Sequence, residues 1–148
     1  MATTLAPCQV DVWYRVTDPL DEADVAESIA VLSPDERSRH SRFVFARDRR
    51  DYAAAHALLR QSLSRYADIT PIRWRFREGG KPSLVVDDGA PSLSFNLSHT
   101  HGIVACAISG GSDVGIDVEA VAREVDEGVA ERVFSETEYA DKIGRAHV

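Results

Sequence analysis

The sequence predicts an α+β fold in which a small antiparallel sheet packs against one long helix. Two apolar runs separated by turn residues, SLSFNLS and GIVACAI, are typical of neighbouring antiparallel strands, and DVGIDVEAV predicts a third strand after the next turn. The run RDYAAAHALLRQSLSRYADI places its large apolar residues at helical intervals among alanines. With 148 residues, the chain is long enough to bury one core of this kind.

The first part of the chain predicts a strand followed by a helix. QVDVWYRV alternates apolar and polar residues, as a half-buried strand does. After a break at Thr17-Asp18-Pro19, DEADVAESIAVL has helical spacing and acidic residues in its first turn.

A basic segment follows, although the chain as a whole carries a formal charge of -7, which argues against a general nucleic-acid binder. Residues 37–50, RSRHSRFVFARDRR, contain six arginines. Ser33 is the predicted N-cap of this segment, with Pro34 at the first helical position and Glu36 placed to close a capping box. We therefore expect a helix with a break near residues 45–48. The arginines of this segment could hold a multiply charged anion.

Between the long helix and the sheet, the pattern predicts two short strands joined by a turn. IRWRFRE alternates as a strand does, and Gly79-Gly80-Lys81-Pro82 is a turn leading into SLVV. Lys81 is one of two lysines in a chain with 15 arginines. A lysine on such a turn indicates a compact point charge for an anion, and a simple polar turn residue is the alternative.

Two acids and three polar residues form the candidate site. Asp117 and Glu119 are two residues apart on a predicted strand, so their carboxylates share one face, as a Mg²⁺ site with phosphate oxygens requires. The alternative is an exposed face with two solvated acids. Ser98 and His99, with Asn96 on the same side as Ser98, could bind a phosphate at a strand end. They are no protease triad, because adjacent strand residues point apart.

Other features exclude further classes of site. Cys8 and Cys106 match no metal-ligand spacing and are predicted to be reduced structural thiols, and His56 and His101 are interpreted as structural. The chain has no apolar run near the ~20 residues that span a bilayer, and its start does not match a targeting segment. These observations predict a cytoplasmic protein that binds no membrane.

Five segments together resemble the motifs of the 4′-phosphopantetheinyl transferases of the surfactin-synthetase-activating type. In chain order they are SPDERSRHSRFVFARDRRDYAAAHALLR, Gly80-Lys81-Pro82, FNLSHTHG, GIDVEAV and RVFSETEY. The resemblance implies transfer of 4′-phosphopantetheine from coenzyme A to a serine of an acyl or peptidyl carrier protein. Such transfer serves fatty acid, polyketide or nonribosomal peptide biosynthesis.

The resemblance also implies roles for individual residues. Asp117 and Glu119 would be Mg²⁺ ligands on the pyrophosphate. The residues implied to bind coenzyme A are Arg47, Lys81, Pro82, Ser98 and His99, with Pro82 bordering the adenine and the others contacting phosphates. The chain departs from the family at Glu36 and Arg39, where lysines are common.

A larger departure concerns the second half of the family fold, which resembles the first half. Its Trp-x-x-Lys-Glu motif follows the segment that matches RVFSETEY, and this chain ends before it. That missing segment would supply the third metal ligand, the general-base Glu and a lysine, so no catalytic residue is predicted here and transfer should be weak or absent.

The predicted domains follow from that comparison. Residues 1–112 form the N-terminal half and residues 113–142 begin the second half. Residues 143–148, IGRAHV, resemble a translated sequencing adapter and are predicted to be a non-native tail.

The residues leave two other functions open. The first is a non-catalytic coenzyme A-binding or assembly module in which two chains pair. The second is a general Mg²⁺-nucleotide phosphohydrolase, for which the chain offers no Walker-type glycine loop.

Overall fold

A computed structural model describes residues 2–77, 79, 81–85 and 91–121. Its helices are α1 (Glu22–Ala30), α2 (Pro34–Arg42) and α3 (Ala46–Leu63), followed by a 3₁₀ turn at Pro71–Arg73. Its strands are β1 (Val10–Val16), β2 (Phe76–Arg77), β3 (Ser83–Leu84), β4 (Ser94–Thr100) and β5 (Ile103–Ser109). The predicted α+β class is confirmed, since a three-stranded antiparallel sheet packs on α3.

The strand order of the sheet differs from the predicted meander. The order is β1-β5-β4, so the second neighbour of β5 is the opening strand of the chain. β1 pairs with β5 over its whole length, from Val10 opposite Ser109 to Val16 opposite Ile103. The expected strand in DVGIDVEAV does not form, because residues 113–120 make no backbone ladder with the sheet.

The core lies between the sheet and α3. Ala54 and Ala55 pack near Val104 of β5, and the small side chains of α3 let its backbone approach the sheet closely. Leu59 and Leu63 extend the same contact toward the other end of β5. None of the helices in the described ranges is long and apolar enough to cross a membrane.

The predicted capping box at the start of α2 is confirmed. The Ser33 hydroxyl accepts a hydrogen bond from the Glu36 backbone N–H at 3.2 Å, and the Glu36 carboxylate accepts one from the Ser33 backbone N–H at 2.8 Å. The break in the basic segment lies at residues 43–45, slightly before its predicted position.

The strand predicted for IRWRFRE is mostly wrong. Pro71–Arg73 forms a 3₁₀ turn, and only Phe76–Arg77 pairs with another strand. The reason is tertiary, because the Arg60 guanidinium donates hydrogen bonds to the carbonyls of Pro71 and Trp74 at 3.0 and 2.9 Å. Those carbonyls therefore bind α3 instead of a neighbouring strand.

The turn between β4 and β5 requires glycine at position 102. Gly102 has a φ of +83°, and a Cβ there would lie 2.5 Å from Asp18 Oδ2. The other oxygen of this carboxylate, Asp18 Oδ1, pairs with Arg50 at 2.9 Å, so a Cβ at position 102 would displace an ion-paired side chain in addition to straining the backbone. We expect Gly102→Ala to lower the free energy of unfolding by about 2 kcal/mol or more in urea denaturation.

Gly79→Ala is the matched control for this substitution. Gly79 also has a positive φ, +102°, but an added Cβ would meet no atom within 4 Å. Gly79→Ala should therefore lower the free energy of unfolding by about 1 kcal/mol, through backbone strain alone. Equal losses in the two variants would contradict the role assigned to Asp18.

Candidate functional site

A cavity of about 700 Å³ opens between α2, α3, β2 and the edge strand β4. Three aromatic side chains form its apolar wall, and four arginines contribute to its lining. The aromatics are Trp74, Phe76 and Phe95, and the arginines are Arg39, Arg60, Arg75 and Arg77. Such a combination of flat apolar surface and guanidinium groups suits an aromatic base that carries phosphates.

A buried ion pair forms the base of the cavity. Arg60 Nε donates to Glu36 Oε2 at 2.8 Å, and these two residues are 1% and 8% exposed. His56 Nδ1 lies 3.2 Å from the other oxygen of Glu36. Burial acts to raise the pKa of Glu36, but hydrogen bonds from His56, Arg60 and the Ser33 backbone outweigh it and lower the pKa to about 2. Glu36 is therefore a carboxylate that neutralises Arg60 inside the fold.

The same arginine fixes the aromatic wall. Its guanidinium lies 5.0 Å from the centre of the Phe76 ring, in addition to its bonds to the carbonyls of Pro71 and Trp74. Phe76 in turn meets Phe95 edge to face, with ring centres 5.4 Å apart. The wall is thus held from α3 on one side and from β4 on the other.

Three exposed arginines, Arg39, Arg75 and Arg77, stand around this wall. Arg75 and Arg77 are not among the predicted site residues, although the arginine at every second position of IRWRFRE indicates a row of cations on one side of this segment. With Glu36 paired to Arg60, these three groups add positive charge to the lining of the cavity, to which the exposed Asp35 adds a negative charge.

Residues 114–119, which we call the carboxylate segment, lie beside β4. The Ile116 backbone N–H donates to Asn96 Oδ1 at 2.9 Å, and the Val118 backbone N–H donates to Ser98 Oγ at 3.1 Å. The Ser98 hydroxyl donates to Asp117 Oδ1 at 3.1 Å. Asn96 also lines the cavity, so this one residue of β4 contacts both the cavity and the carboxylate segment.

The turn between β2 and β3 brings two predicted residues to this region. Pro82 lines the cavity, and Lys81 Nζ donates to the Val114 carbonyl of the carboxylate segment at 2.7 Å. Lys81, Ser98 and Asp117 are thus gathered around one short segment. The predicted turn residue Gly80 lies outside the described residues.

Two other predicted binding residues are placed differently. His99 is exposed and follows Ser98 on β4, so strand alternation directs the two side chains to opposite faces. Arg47 lines a separate cavity of about 460 Å³ between α1 and the start of α3, with its Nε 3.6 Å from Asp48. The structure does not bring Arg47 together with Lys81 and Ser98.

The acids of the carboxylate segment match the oxygen donors that Mg²⁺ prefers. Asp117 and Glu119 are exposed and alternate with the partly buried Ile116 and Val118. In the described ranges, no three His, Cys, Asp or Glu side chains form a metal-ligand cluster. A pair of carboxylates still fits a Mg²⁺ ion that keeps several waters and binds substrate phosphates.

The segment RVFSETEY lies outside the described residues.

The known proteins that this chain resembles carry the same name. Across 141 residues the chain is 35% identical to the 4′-phosphopantetheinyl transferase HetI of Nostoc sp., covering 92% of this chain and 58% of that protein. It is 30% identical to the 4′-phosphopantetheinyl transferase Sfp of Bacillus subtilis, covering 86% of this chain and 55% of that protein. The chain therefore spans little more than half the length of these relatives.

A relative that matches a smaller part of the chain is also named as a phosphopantetheinyl transferase. The human L-aminoadipate-semialdehyde dehydrogenase-phosphopantetheinyl transferase is 30% identical over 95 residues, or 62% of this chain and 31% of that protein. The profile of the family described as 4′-phosphopantetheinyl transferase, N-terminal, matches residues 19–110. That range contains all three helices, the aromatic wall and both strands of the β4–β5 hairpin, and it shows that the chain belongs to the 4′-phosphopantetheinyl transferase family.

Proposed function

We propose that this chain is the coenzyme A-binding part of an enzyme that transfers 4′-phosphopantetheine from coenzyme A to a serine of an acyl or peptidyl carrier protein. Membership of the family and the transferase names of its relatives support this reaction. The observation that carries the proposal is the position of Asn96, which lines the cavity and also binds the backbone of the carboxylate segment. Asn96 thus joins the cavity to the segment that carries the two acids, and we propose that one extended ligand lies along both.

The nucleotide end of coenzyme A fits the chemistry of the cavity. Phe76, the half-buried member of the wall, offers apolar ring surface to an adenine above the buried Trp74 and Phe95, and Pro82 borders the same space. Guanidinium groups at the rim can pair with phosphate oxygens in a bidentate manner. We assign this cavity to the adenosine part of the substrate.

Asp117 and Glu119 are proposed to hold Mg²⁺ against the pyrophosphate of coenzyme A. When bound, the metal would neutralise charge on the bridging oxygens during attack by the serine hydroxyl. Lys81, Ser98 and His99 are proposed to contact the phosphates, and Arg47 remains a further proposed phosphate contact.

The proposal keeps the predicted organisation of the chain. Residues 1–112 form the first half of the transferase, residues 113–142 begin the second half, and residues 143–148 are non-native. The catalytic base belongs to the second half, and the enzyme works in the cytoplasm. The names of the relatives favour this reading over a non-catalytic binding or assembly module.

The test is the mass of an apo carrier protein after incubation with Mg²⁺, coenzyme A and the chain. We expect little or no change with the chain alone. We expect a gain of one phosphopantetheine when the chain is extended by the C-terminal part of the Nostoc relative that it does not cover. The added part supplies the second wall of the active site.

The complete Nostoc relative serves as the positive control. If it loads the carrier protein and the extended chain does not, the proposed function is contradicted. If the chain alone loads the carrier protein fully, the assignment of the catalytic base to a second half is wrong.

A further inference from the structure

The carboxylate segment is held to the sheet by side chains instead of a backbone ladder. Its two hydrogen-bonded amides, those of Ile116 and Val118, are two residues apart, and so are their acceptors, Asn96 and Ser98. Two residues is the period at which strand side chains return to one face. The segment therefore runs along β4 in the same direction, in a register that two side chains define.

The face of the sheet on which this happens is the one turned away from α3. Asn96 lies opposite Ala107 and Ser98 lies opposite Ala105 in the β4–β5 register. The intervening Cys106 belongs to the core against α3, so both alanines point the other way, and they are nevertheless 1% and 5% exposed. Small residues on β5 leave room for the segment to lie close to the sheet.

Ser98 makes two contacts that differ in kind. Its oxygen accepts a hydrogen bond from the Val118 amide, and its O–H donates a hydrogen bond to the Asp117 carboxylate, each at 3.1 Å. A hydroxyl that both accepts and donates has its rotation defined by the two partners. One side chain thus sets the register of the backbone and the direction of the neighbouring carboxylate.

Lys81 adds a third point of attachment from outside the sheet. Its ammonium group donates to the Val114 carbonyl at 2.7 Å, at the start of the carboxylate segment. Asn96 then binds the middle of the segment and Ser98 binds its end.

We propose that Lys81, Asn96 and Ser98 are positioning residues, which hold the carboxylate segment in register so that Asp117 is presented as a metal ligand. Ser98, which the proposed function also places at the phosphates, then has a second role in directing the Asp117 carboxylate. The consequence for metal binding rests on the proposed function, whereas the register rests on the hydrogen bonds alone. The two parts are tested separately.

Amide hydrogen exchange of the full ¹⁵N-labelled chain tests the register. We expect the Ile116 and Val118 amides to be protected. Ser98→Ala should accelerate exchange at Val118, and Asn96→Ala should do so at Ile116, each by about fivefold or more because one hydrogen bond is lost. Ser94→Ala, on the same face of β4, is the control and should change neither amide.

Metal titration tests the positioning role with a readout other than catalysis. Paramagnetic broadening of the Asp117 and Glu119 amides by Mn²⁺, in the presence of coenzyme A, reports occupancy of the site. Ser98→Ala should raise the Mn²⁺ concentration for half-maximal broadening by about tenfold, as loss of a partner of a metal ligand does. Ser98→Thr keeps the hydroxyl and should restore the original value.

The outcomes separate the two ideas. Unprotected Ile116 and Val118 amides in the unsubstituted chain would overturn the register. An unchanged Mn²⁺ titration in Ser98→Ala, with weaker binding of coenzyme A, would overturn the positioning role and leave Ser98 with the direct phosphate contact alone. Absence of any Mn²⁺ broadening in the unsubstituted chain would instead count against the metal assignment of the proposed function, leaving the amide result to decide the register.

Discussion

Replacing Glu36 by Gln should lower the free energy of unfolding by about 3–5 kcal/mol, measured by urea denaturation followed by circular dichroism. The substitution keeps the size of the side chain but removes the charge that neutralises Arg60, which is 1% exposed. An uncompensated guanidinium would remain inside the fold, 2.8 Å from an amide group that pairs with it poorly. This loss is a large share of the stability of a small domain.

Asp35→Asn is the matched control, because Asp35 is exposed, lies in the same first turn of α2 and loses the same charge. Its effect should stay within about 0.5 kcal/mol. Equal losses in the two variants would mean that the helix dipole, and not the buried pair, explains the effect of Glu36→Gln.

The pH dependence of the Glu36 effect has a definite sign. The pKa of Glu36 is lowered from 4.5 to about 2 in the folded chain, so the stability it contributes is fully present above pH 4.5 and is lost as the pH falls toward 2. Glutamine does not titrate. The difference in unfolding free energy between the original chain and Glu36→Gln should therefore be constant near neutral pH and shrink between about pH 4.5 and 2. A difference that grows on acidification would contradict the pairing.

The second large effect concerns Asp117 in the chain extended by the C-terminal part of the Nostoc relative. Asp117→Asn should slow transfer to the carrier protein by at least ~100-fold at limiting Mg²⁺, because a bound metal contributes several kcal/mol of charge stabilisation in the transition state. Transfer is measured by the mass of the carrier protein over time.

Asp113→Asn controls for loss of a negative charge near the same segment. Asp113 is exposed and precedes the carboxylate segment by one residue. It should leave the rate and its Mg²⁺ dependence unchanged. If Asp117→Asn transfers at the original rate when Mg²⁺ is limiting, Asp117 is not a metal ligand.

Local patterns in the sequence were sufficient for much of the fold. The alternation in QVDVWYRV, the capping box of Ser33 and Glu36, and the apolar spacing of α3 each depend on neighbours within one turn or one strand. For the same reason the position of Asp117 and Glu119 on one side of their segment was predictable, and their exposure alternates with that of Ile116 and Val118 as expected.

The strand order and the environment of the site depended on contacts between distant residues. β1 and β5 lie about 90 residues apart along the chain, and no local pattern says that they pair, so the predicted third strand was assigned to the wrong segment. Glu36 has two roles, of which the sequence indicated one. Its place in the capping box is local, whereas its ion pair with Arg60 joins two helices.

The sequence by itself determined the class of the fold, the presence of the helices and the residue types that a phosphate and a metal would need. Only the tertiary structure decided which of those residues meet. It gathers Lys81, Ser98 and Asp117 around the carboxylate segment, it places Arg47 in a separate cavity, and it makes Arg75 and Arg77 part of the main cavity. The physical reason is that residue type and spacing specify which face of a helix or strand a side chain occupies, whereas packing and long-range hydrogen bonds determine which faces come together.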